Sequence, residues 1–375
     1  MTISKSEHFI RELLEHADVE INGNRPWDIQ IHDPRFYDRV IREVELGFGE
    51  AYMDGWWDCE ALDELINRIF LADLPDKLQG NWKLALHALK MRLFNLQTRR
   101  RATEVAERHY DLGNDLYEAM LDKRMNYTCG YWKEADNLDE AQEAKLELVC
   151  RKIGLEPGMT VLELGSGFGS FAQYAAEEYG AVVTGYNISK EQVKLARERC
   201  AGLPVTFKLQ DYRDAEGTYD RVISIGVMEH VGHKNYRTYM EVVDRTLKED
   251  GIAFFHTIGA NVSAGVGNAW THKYIFPNGM LPSIAQLGKA MEGLFVVEDW
   301  HNFGPYYDPT LMAWYENFEA AWPELRKNPR YDERFYRMWR FYLLSSAGGF
   351  RARSQQLWQV VMTRPGTPQP DCRIS

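Results

Sequence analysis

The stretch MTVLELGSGFGSFAQYAAEEYG (159–180) decides the fold. Its opening MTVLEL (159–164) is a short apolar run of strand-forming residues, and 170–179 carries apolar positions at helical spacing. Between them lies ELGSGFGS (163–170), where Gly165, Gly167 and Gly169 let the backbone turn sharply and admit a ligand at close range. Working outward, AVVTGY (181–186), PVTFK (204–208), RVISIG (221–226) and IAFFHTI (252–258) are further strand candidates, the early ones separated by helical stretches such as 189–201. Short apolar strands alternating with helices predict an α/β fold: a doubly wound, mostly parallel sheet covered on both faces. The later strands LFVVEDW (294–300) and QLWQVVM (356–362) bracket a helical region near 310–345. Residues 1–80 read as helical, from Ile10, Leu13 and Leu14 and then Phe36, Val40, Ile41 and Val44 at helical spacing. The ring- and glycine-rich LGFGEAYMDGWWD (46–58) suits a tight helical corner.

At 375 residues the chain is long enough for two domains, and 45% apolar with 26% charged residues excludes a wholly disordered or fibrous protein. Net charge is −11, which argues against nucleic acid as a partner. No run of about 18 apolar residues occurs, and Glu7, Arg11, Glu12, Glu15 and Asp18 interrupt the first thirty residues where a signal peptide would lie. Five scattered cysteines (59, 129, 150, 200, 372) without C-x-x-C spacing read as reduced thiols and as no metal site. The expectation is a soluble, intracellular protein. Aromatic residues at 13% fit a large apolar pocket, an interface or simply a ring-rich core. Against the acidic background, 77–103 has seven basic residues (Lys77, Lys83, Lys90, Arg92, Arg99, Arg100, Arg101) and no acid. Trp82, Leu86, Leu89, Leu93 and Leu96 fall on one face of that segment. It reads as an amphipathic helix packed on its own domain or, with its flanking cations, as one drawn to anionic lipid; by itself it favours the first.

Two cofactors compete for the glycine loop. A dinucleotide fingerprint needs G-x-G-x-x-G and an acid about 20 residues on. Here residue 170 is serine, residue 185 is glycine, and no acid follows until Glu191. ELGSGFG instead matches the E/D-x-G-x-G-x-G of S-adenosylmethionine-dependent methyltransferases, and LQDY (209–212) follows the third strand, where those enzymes place an acid near the adenine. A methyl donor is the better reading.

Beyond the loop, a set of strings in order resembles the bacterial cyclopropane-fatty-acyl-phospholipid synthases: LGFGEAYMDGWWD, HYDLGNDLY (109–117), YTCGYW (127–132), LQDYRD (209–214), MEHVGHKNY (228–236), HTIG (256–259), KYIFPNG (273–279), EDWHNFG (298–304), LMAWYENF (311–318) and FRARSQQLWQVV (350–361). The resemblance runs from near residue 20 to about 363. Mycolic-acid cyclopropane synthases share the catalytic half but generally lack residues like 1–100, which favours the phospholipid branch. It implies a class I methyltransferase (Rossmann-like) sheet at 101–364, a smaller helical amino-terminal lipid-docking domain at 1–100 and a flexible tail at 365–375. The activity implied is transfer of a methylene unit from S-adenosyl-L-methionine to a cis double bond in a membrane phospholipid acyl chain.

By the same resemblance a bound bicarbonate is the base, held at Cys129, Glu229, His256, Ile258 and Tyr307. The donor is held by Tyr127, Thr128, Gly165, Ser166, Gly167, Asn187, Gln192, Asp211 and Tyr212, with Tyr110 as a candidate for the chamber wall. The resemblance also turns 77–103 towards an anionic membrane surface or the domain junction, and implies a homodimer on the inner face of the cytoplasmic membrane. Read without it, Glu229–His230 is a helix cap, His256 between Phe254 and Phe255 is a core histidine, and Cys129 a small hydrophobe. Three positions depart from the family pattern: Ser166 where cysteine is usual, Asn187 where threonine is usual, and Ser346 where relatives carry a cysteine. No step of alkene methylation needs a covalent enzyme intermediate, so Ser346 is compatible with activity. The rivals are an enzyme that adds a methyl branch or methylene to the same lipids, a small-molecule N- or O-methyltransferase, and a non-catalytic lipid-binding protein.

Overall fold

The computed structural model describes residues 4–75, 113–263 and 267–374. Their chain forms two compact units. One takes the described residues of Met1–Phe94, Val266–Pro277 and Tyr307–Gln355, and the other those of Asn95–Gly265, Asn278–Tyr306 and Gln356–Ser375.

The second unit holds a seven-stranded sheet whose strands are β3 (Thr160–Leu164), β4 (Val182–Asn187), β5 (Val205–Leu209), β6 (Tyr219–Ile225), β7 (Leu247–Ala260), β8 (Val296–Asn302) and β9 (Gln355–Thr363), in the order β5-β4-β3-β6-β7-β9-β8. β3 pairs in parallel with both β4 and β6, β4 with β5, and β6 with β7, while β8 and β9 run antiparallel. All seven expected strands are present, within a few residues of their expected bounds apart from β7, which starts five residues earlier. The helical crossovers that a parallel pair requires are α6 (Ser170–Tyr179) after β3 and α7 (Lys190–Arg199) after β4.

Strand alternation splits the apolar residues between two cores. Val161, Ile223, Phe254 and Val361 pack on one face with α5 (Leu138–Lys152), α6 and α7. Their neighbours Leu162, Val222, Phe255 and Val360 pack on the other with α9 (Tyr236–Thr246) and α11 (Ile284–Met291). The sheet is buried on both faces, which is why its strands read as continuous apolar runs. The tail after Arg364, expected to be flexible, is tied down instead. Cys372 is 1% exposed within the first of these cores, and Gln369 donates to Glu298 Oε2 at 3.1 Å.

In the first unit, α1 (Lys5–Glu15), α2 (Arg35–Met53) and α3 (Leu62–Leu71) are joined by a two-residue strand pair, β1 (Gln30–Ile31) with β2 (Trp57–Asp58). The sequence 46–58 runs from the end of α2 through a turn at Gly55 into β2, the expected corner. Gly49 is required there, since a Cβ would lie 2.4 Å from the Trp270 ring. This unit also takes in α10 (Ala269–Tyr274), α12 (Tyr307–Leu325) and α13 (Glu333–Arg351) beside the amino-terminal helices. The cause is local: α13 packs along α3 so closely that a Cβ on Gly348 would meet the Asp63 carbonyl oxygen at 2.3 Å. The basic segment 77–103 and Tyr110 lie outside the described residues. Among the described residues no helix is long and apolar enough to cross a membrane.

Candidate active site

β3 lies where the strand order reverses, with β4 on one side and β6 on the other, and the crevice beyond the carboxyl ends of such strands is where open α/β sheets bind ligands. The glycine loop leaves β3 at that point. Its N–H groups at Gly165 and Ser166 both donate to the Tyr186 carbonyl oxygen, at 2.9 and 3.0 Å. Gly165 has φ +85°, and a Cβ there would stand 2.4 Å from Val227 on the loop after β6. Asn187, at the end of β4, donates through Nδ2 to the Gly167 carbonyl and to Gln192 Oε1, each at 3.0 Å, and accepts from Ser189 N–H. Its longer side chain, where the family pattern has threonine, thus ties loop, strand and α7 together. At the end of β5, Asp211 accepts from the Arg213 backbone N–H and pairs with its guanidinium at 3.1 Å, while the Tyr212 ring lies 5.4 Å from that of Tyr239.

The segment 126–129 reaches the same crevice. The Tyr127 ring is 5.2 Å from Tyr117, which in turn is 5.7 Å from Phe168 in the glycine loop. The Thr128 methyl lies 2.8 Å from where a Cβ on Gly226, just after β6, would stand. Underneath, the buried Lys145 of α5 donates to Asn126 Oδ1 and Thr128 Oγ1, both at 2.9 Å, and Gln142 donates to the Thr128 carbonyl at 2.7 Å. Asp122 accepts from Asn126 through both backbone and side chain. Burial drives the Lys145 pKa down and the Glu163 pKa up, and the charge of each partly offsets the shift in the other.

Beyond β6 the character changes. Glu229, on the single turn α8 (Met228–Val231), accepts from the Ile258 N–H at 2.7 Å through Oε1, and burial raises its pKa from 4.5 to about 7. His256 is 1% exposed on β7, in register with Ile225, and its carbonyl accepts from Gly226 N–H. Burial, assisted by the charges of Lys145 and Lys152, holds its pKa well below the ordinary 6.5. Glu229 Oε2 and His256 Nε2 are both buried with no hydrogen-bond partner among the described residues. A buried polar atom left so costs about 1–3 kcal/mol, so a pair at one crevice calls for a ligand.

The family description "Mycolic acid cyclopropane synthetase" matches residues 97–360. Cyclopropane-fatty-acyl-phospholipid synthase of Escherichia coli is 53% identical over 353 residues, which cover 94% of this chain and 92% of that one. Tuberculostearic acid methyltransferase UfaA1 of Mycobacterium tuberculosis is 32% identical over 88% of this chain and 81% of its own. The chain belongs to the cyclopropane synthase family. Among solved structures, mycolic acid cyclopropane synthase CmaA1 in complex with SAH and CTAB matches with TM-score 0.63 and 29% identity, covering 70% of this chain and 98% of that one. Coclaurine N-methyltransferase, at 22% identity and TM-score 0.70 over 84% of this chain and 98% of its own, shares the fold.

As a cyclopropane synthase relative, the chain is a methyltransferase-fold enzyme of an S-adenosylmethionine-dependent family, and its residues fit that donor. Beside the loop, Ser166 Oγ and Glu163 Oε2 are buried with no hydrogen-bond partner among the described residues, so polar atoms are available where a donor's charged groups would sit. Of the five expected anion-site residues, the structure brings Glu229, His256 and Ile258 together. Cys129 is fully buried beside Thr128, its Sγ 3.3 Å from the Gly130 carbonyl. Tyr307 opens α12 in the other compact unit, where its ring stacks on Phe350 at 4.4 Å. Sequence reasoning passed over Lys145, Gln142 and Gln359. A lysine reads as surface, so nothing betrayed Lys145, but Gln359 carried a signal as the one polar residue inside LWQVVM.

Proposed function

We propose that this cyclopropane synthase relative transfers a methylene unit from S-adenosylmethionine to the cis double bond of an unsaturated phospholipid acyl chain and closes the ring with bicarbonate as base. The observation that carries the reading is the pair of partnerless buried atoms, Glu229 Oε2 and His256 Nε2, beside a glycine loop suited to the donor. Phospholipid as substrate is supported by the Escherichia coli relative, whose similarity covers 94% of this chain.

In this mechanism Gly165, Ser166 and Gly167 cradle the donor with their backbone, Asn187 and Gln192 hold that loop in shape, and Asp211 and Tyr212 receive the adenosyl end. Tyr127 and Thr128 close over the other side, on a floor fixed by Lys145. The donor supplies an electrophilic methyl to a weakly nucleophilic alkene, so alignment by these residues carries much of the rate. Bicarbonate, when bound, supplies the base that accepts the proton lost as the ring closes. His256 Nε2 donates to that anion, Ile258 and Cys129 confine it, and the Glu229 carboxylate accepts its hydroxyl hydrogen. Aromatic rings line the chamber, exclude water and stabilise positive charge developing on the acyl chain. Residues 77–103, inside the amino-terminal portion 1–100, dock the chain on anionic phospholipid at the inner face of the cytoplasmic membrane, and the working form is a homodimer. Seven cations without an acid, in a chain of net charge −11, support the docking.

The test is mass spectrometry of vesicles of cis-monounsaturated phospholipid incubated with protein and S-adenosylmethionine, with and without bicarbonate. Gain of one CH2 with loss of the double bond and dependence on bicarbonate is the expected result. The same gain with a surviving alkene makes the protein a methyl- or methylene-adding relative, and no gain removes this substrate.

A further inference from the structure

Gln359 lies on β9, next to β7 in the sheet, and is fully buried. Its side-chain Nε2 stands 3.4 Å from His256 Nδ1, at the long end of hydrogen-bonding distance. A neutral imidazole carries one ring hydrogen, and the hydrogen bond at one nitrogen decides what the other nitrogen offers. His256 is neutral, being buried with the cations of Lys145 and Lys152 nearby. The contact couples the two groups: with the amide N–H towards Nδ1, as placed, Nδ1 offers a lone pair, the ring hydrogen sits on Nε2, and Gln359 Oε1 is left without a partner among the described residues. Nε2 is the ring nitrogen with no partner among the described residues.

We propose that Gln359 is a positioning residue that fixes His256 as the Nε2–H tautomer, so that this ring presents a hydrogen-bond donor, and not a lone pair, to an anionic ligand in the crevice. The opposite amide orientation would set Oε1 against Nδ1–H and turn a lone pair towards the same place, where it repels an anion. This deepens the bicarbonate reading and rests on it for the identity of the anion, although the tautomer can be observed with no ligand present. It also gives a reason for a glutamine in the middle of a strand otherwise buried among Leu357, Trp358, Val360 and Val361. A glutamine there fixes the neighbouring imidazole without adding a charge.

The experiment is two-bond proton–nitrogen correlation NMR of the full chain labelled with 15N-histidine, with the His256 signals assigned by their loss in H256Q. The expected spectrum has a pyridine-type Nδ1 and a pyrrole-type Nε2, and Q359E, of the same shape, can only accept at Nδ1 once its carboxyl is ionised at raised pH and then exchanges the two. A pyrrole-type Nδ1 in the unsubstituted protein overturns the proposal, as does an unchanged tautomer in Q359E with its carboxyl ionised. The unsubstituted spectrum decides the matter even if Q359E folds poorly. In turnover assays, the bicarbonate concentration for half-maximal rate rises about tenfold or more in Q359E, while the isosteric apolar Q359M shows a smaller rise and S-adenosylmethionine affinity stays constant. A bicarbonate-independent rate with the expected tautomer sinks the choice of anion and leaves the role of Gln359 standing.

Discussion

Around the loop after β3, apart from Ser166 Oγ, Glu163 Oε2 and Gln142 Oε1, most buried polar groups answer one another. Lys145 holds Asn126 and Thr128, Asp122 holds Asn126, and Asn187 holds Gly167 and Gln192. Across β6, β7 and β9, equally buried groups stop short: Glu229 spends one oxygen on Ile258 N–H and leaves the other, and His256 meets Gln359 at Nδ1 and nothing at Nε2 among the described residues. The first region is preorganised by its own hydrogen bonds and shapes backbone. The second keeps uncompensated acceptors and donors in a place of low dielectric, an arrangement that costs stability and is retained where a reaction uses it.

The contrast can be broken by substitution. The largest effect is expected on the preorganised side. Lys145→Met leaves Asn126 Oδ1 and Thr128 Oγ1 buried without their donor, and lowers stability in chemical denaturation by about 2–6 kcal/mol. A loss under 1 kcal/mol would mean that the network is not coupled as the distances imply.

Next is the pH dependence of the second region. The Glu229 carboxyl, raised from 4.5 to about 7, binds its proton more tightly when folded than unfolded. Its contribution is therefore fully present below pH 4.5 and is lost as pH rises to about 7, amounting to about 3 kcal/mol. Urea unfolding across that window should fall more steeply with pH in the unsubstituted protein than in Glu229→Gln, and parallel curves would contradict the buried carboxyl with its raised pKa.

His256→Ala should lower kcat about 100-fold, the scale for removing one preorganised donor, and leave S-adenosylmethionine affinity unchanged by calorimetry. Equal loss of donor affinity would erase the division between the two regions. The smallest expected effect is that of Gly165→Ala. A residue forced into φ +85° with its Cβ 2.4 Å from Val227 costs about 1–3 kcal/mol, read as about a tenfold or greater rise in the donor's Kd with a smaller change in Tm.

Much of this was legible in the chain. All seven strands were, because a sheet covered on both faces demands unbroken apolar runs, and so was the donor loop, because positive φ at Gly165, Gly167 and Gly169 is a property of glycine itself. The buried tail at Cys372 was not, since PGTPQPDCRIS has the composition of a loose end and its order comes from Glu298 and the core beneath it. Nor was the grouping of 307–355 with the amino-terminal helices, which rests on Gly348 against Asp63, a contact across nearly three hundred residues that no local pattern records.

By itself, then, the sequence determined the sheet, the glycine loop and the family, for these are written in local periodicity, in the conformations open to glycine and in ordered motifs. Only the tertiary structure decided which polar atoms are satisfied. Lys145 beneath Thr128, Glu229 against Ile258 N–H and Gln359 against His256 Nδ1 come together from separate elements. The charge and protonation of such buried groups depend on the neighbours that folding supplies, not on the residues adjacent in the chain.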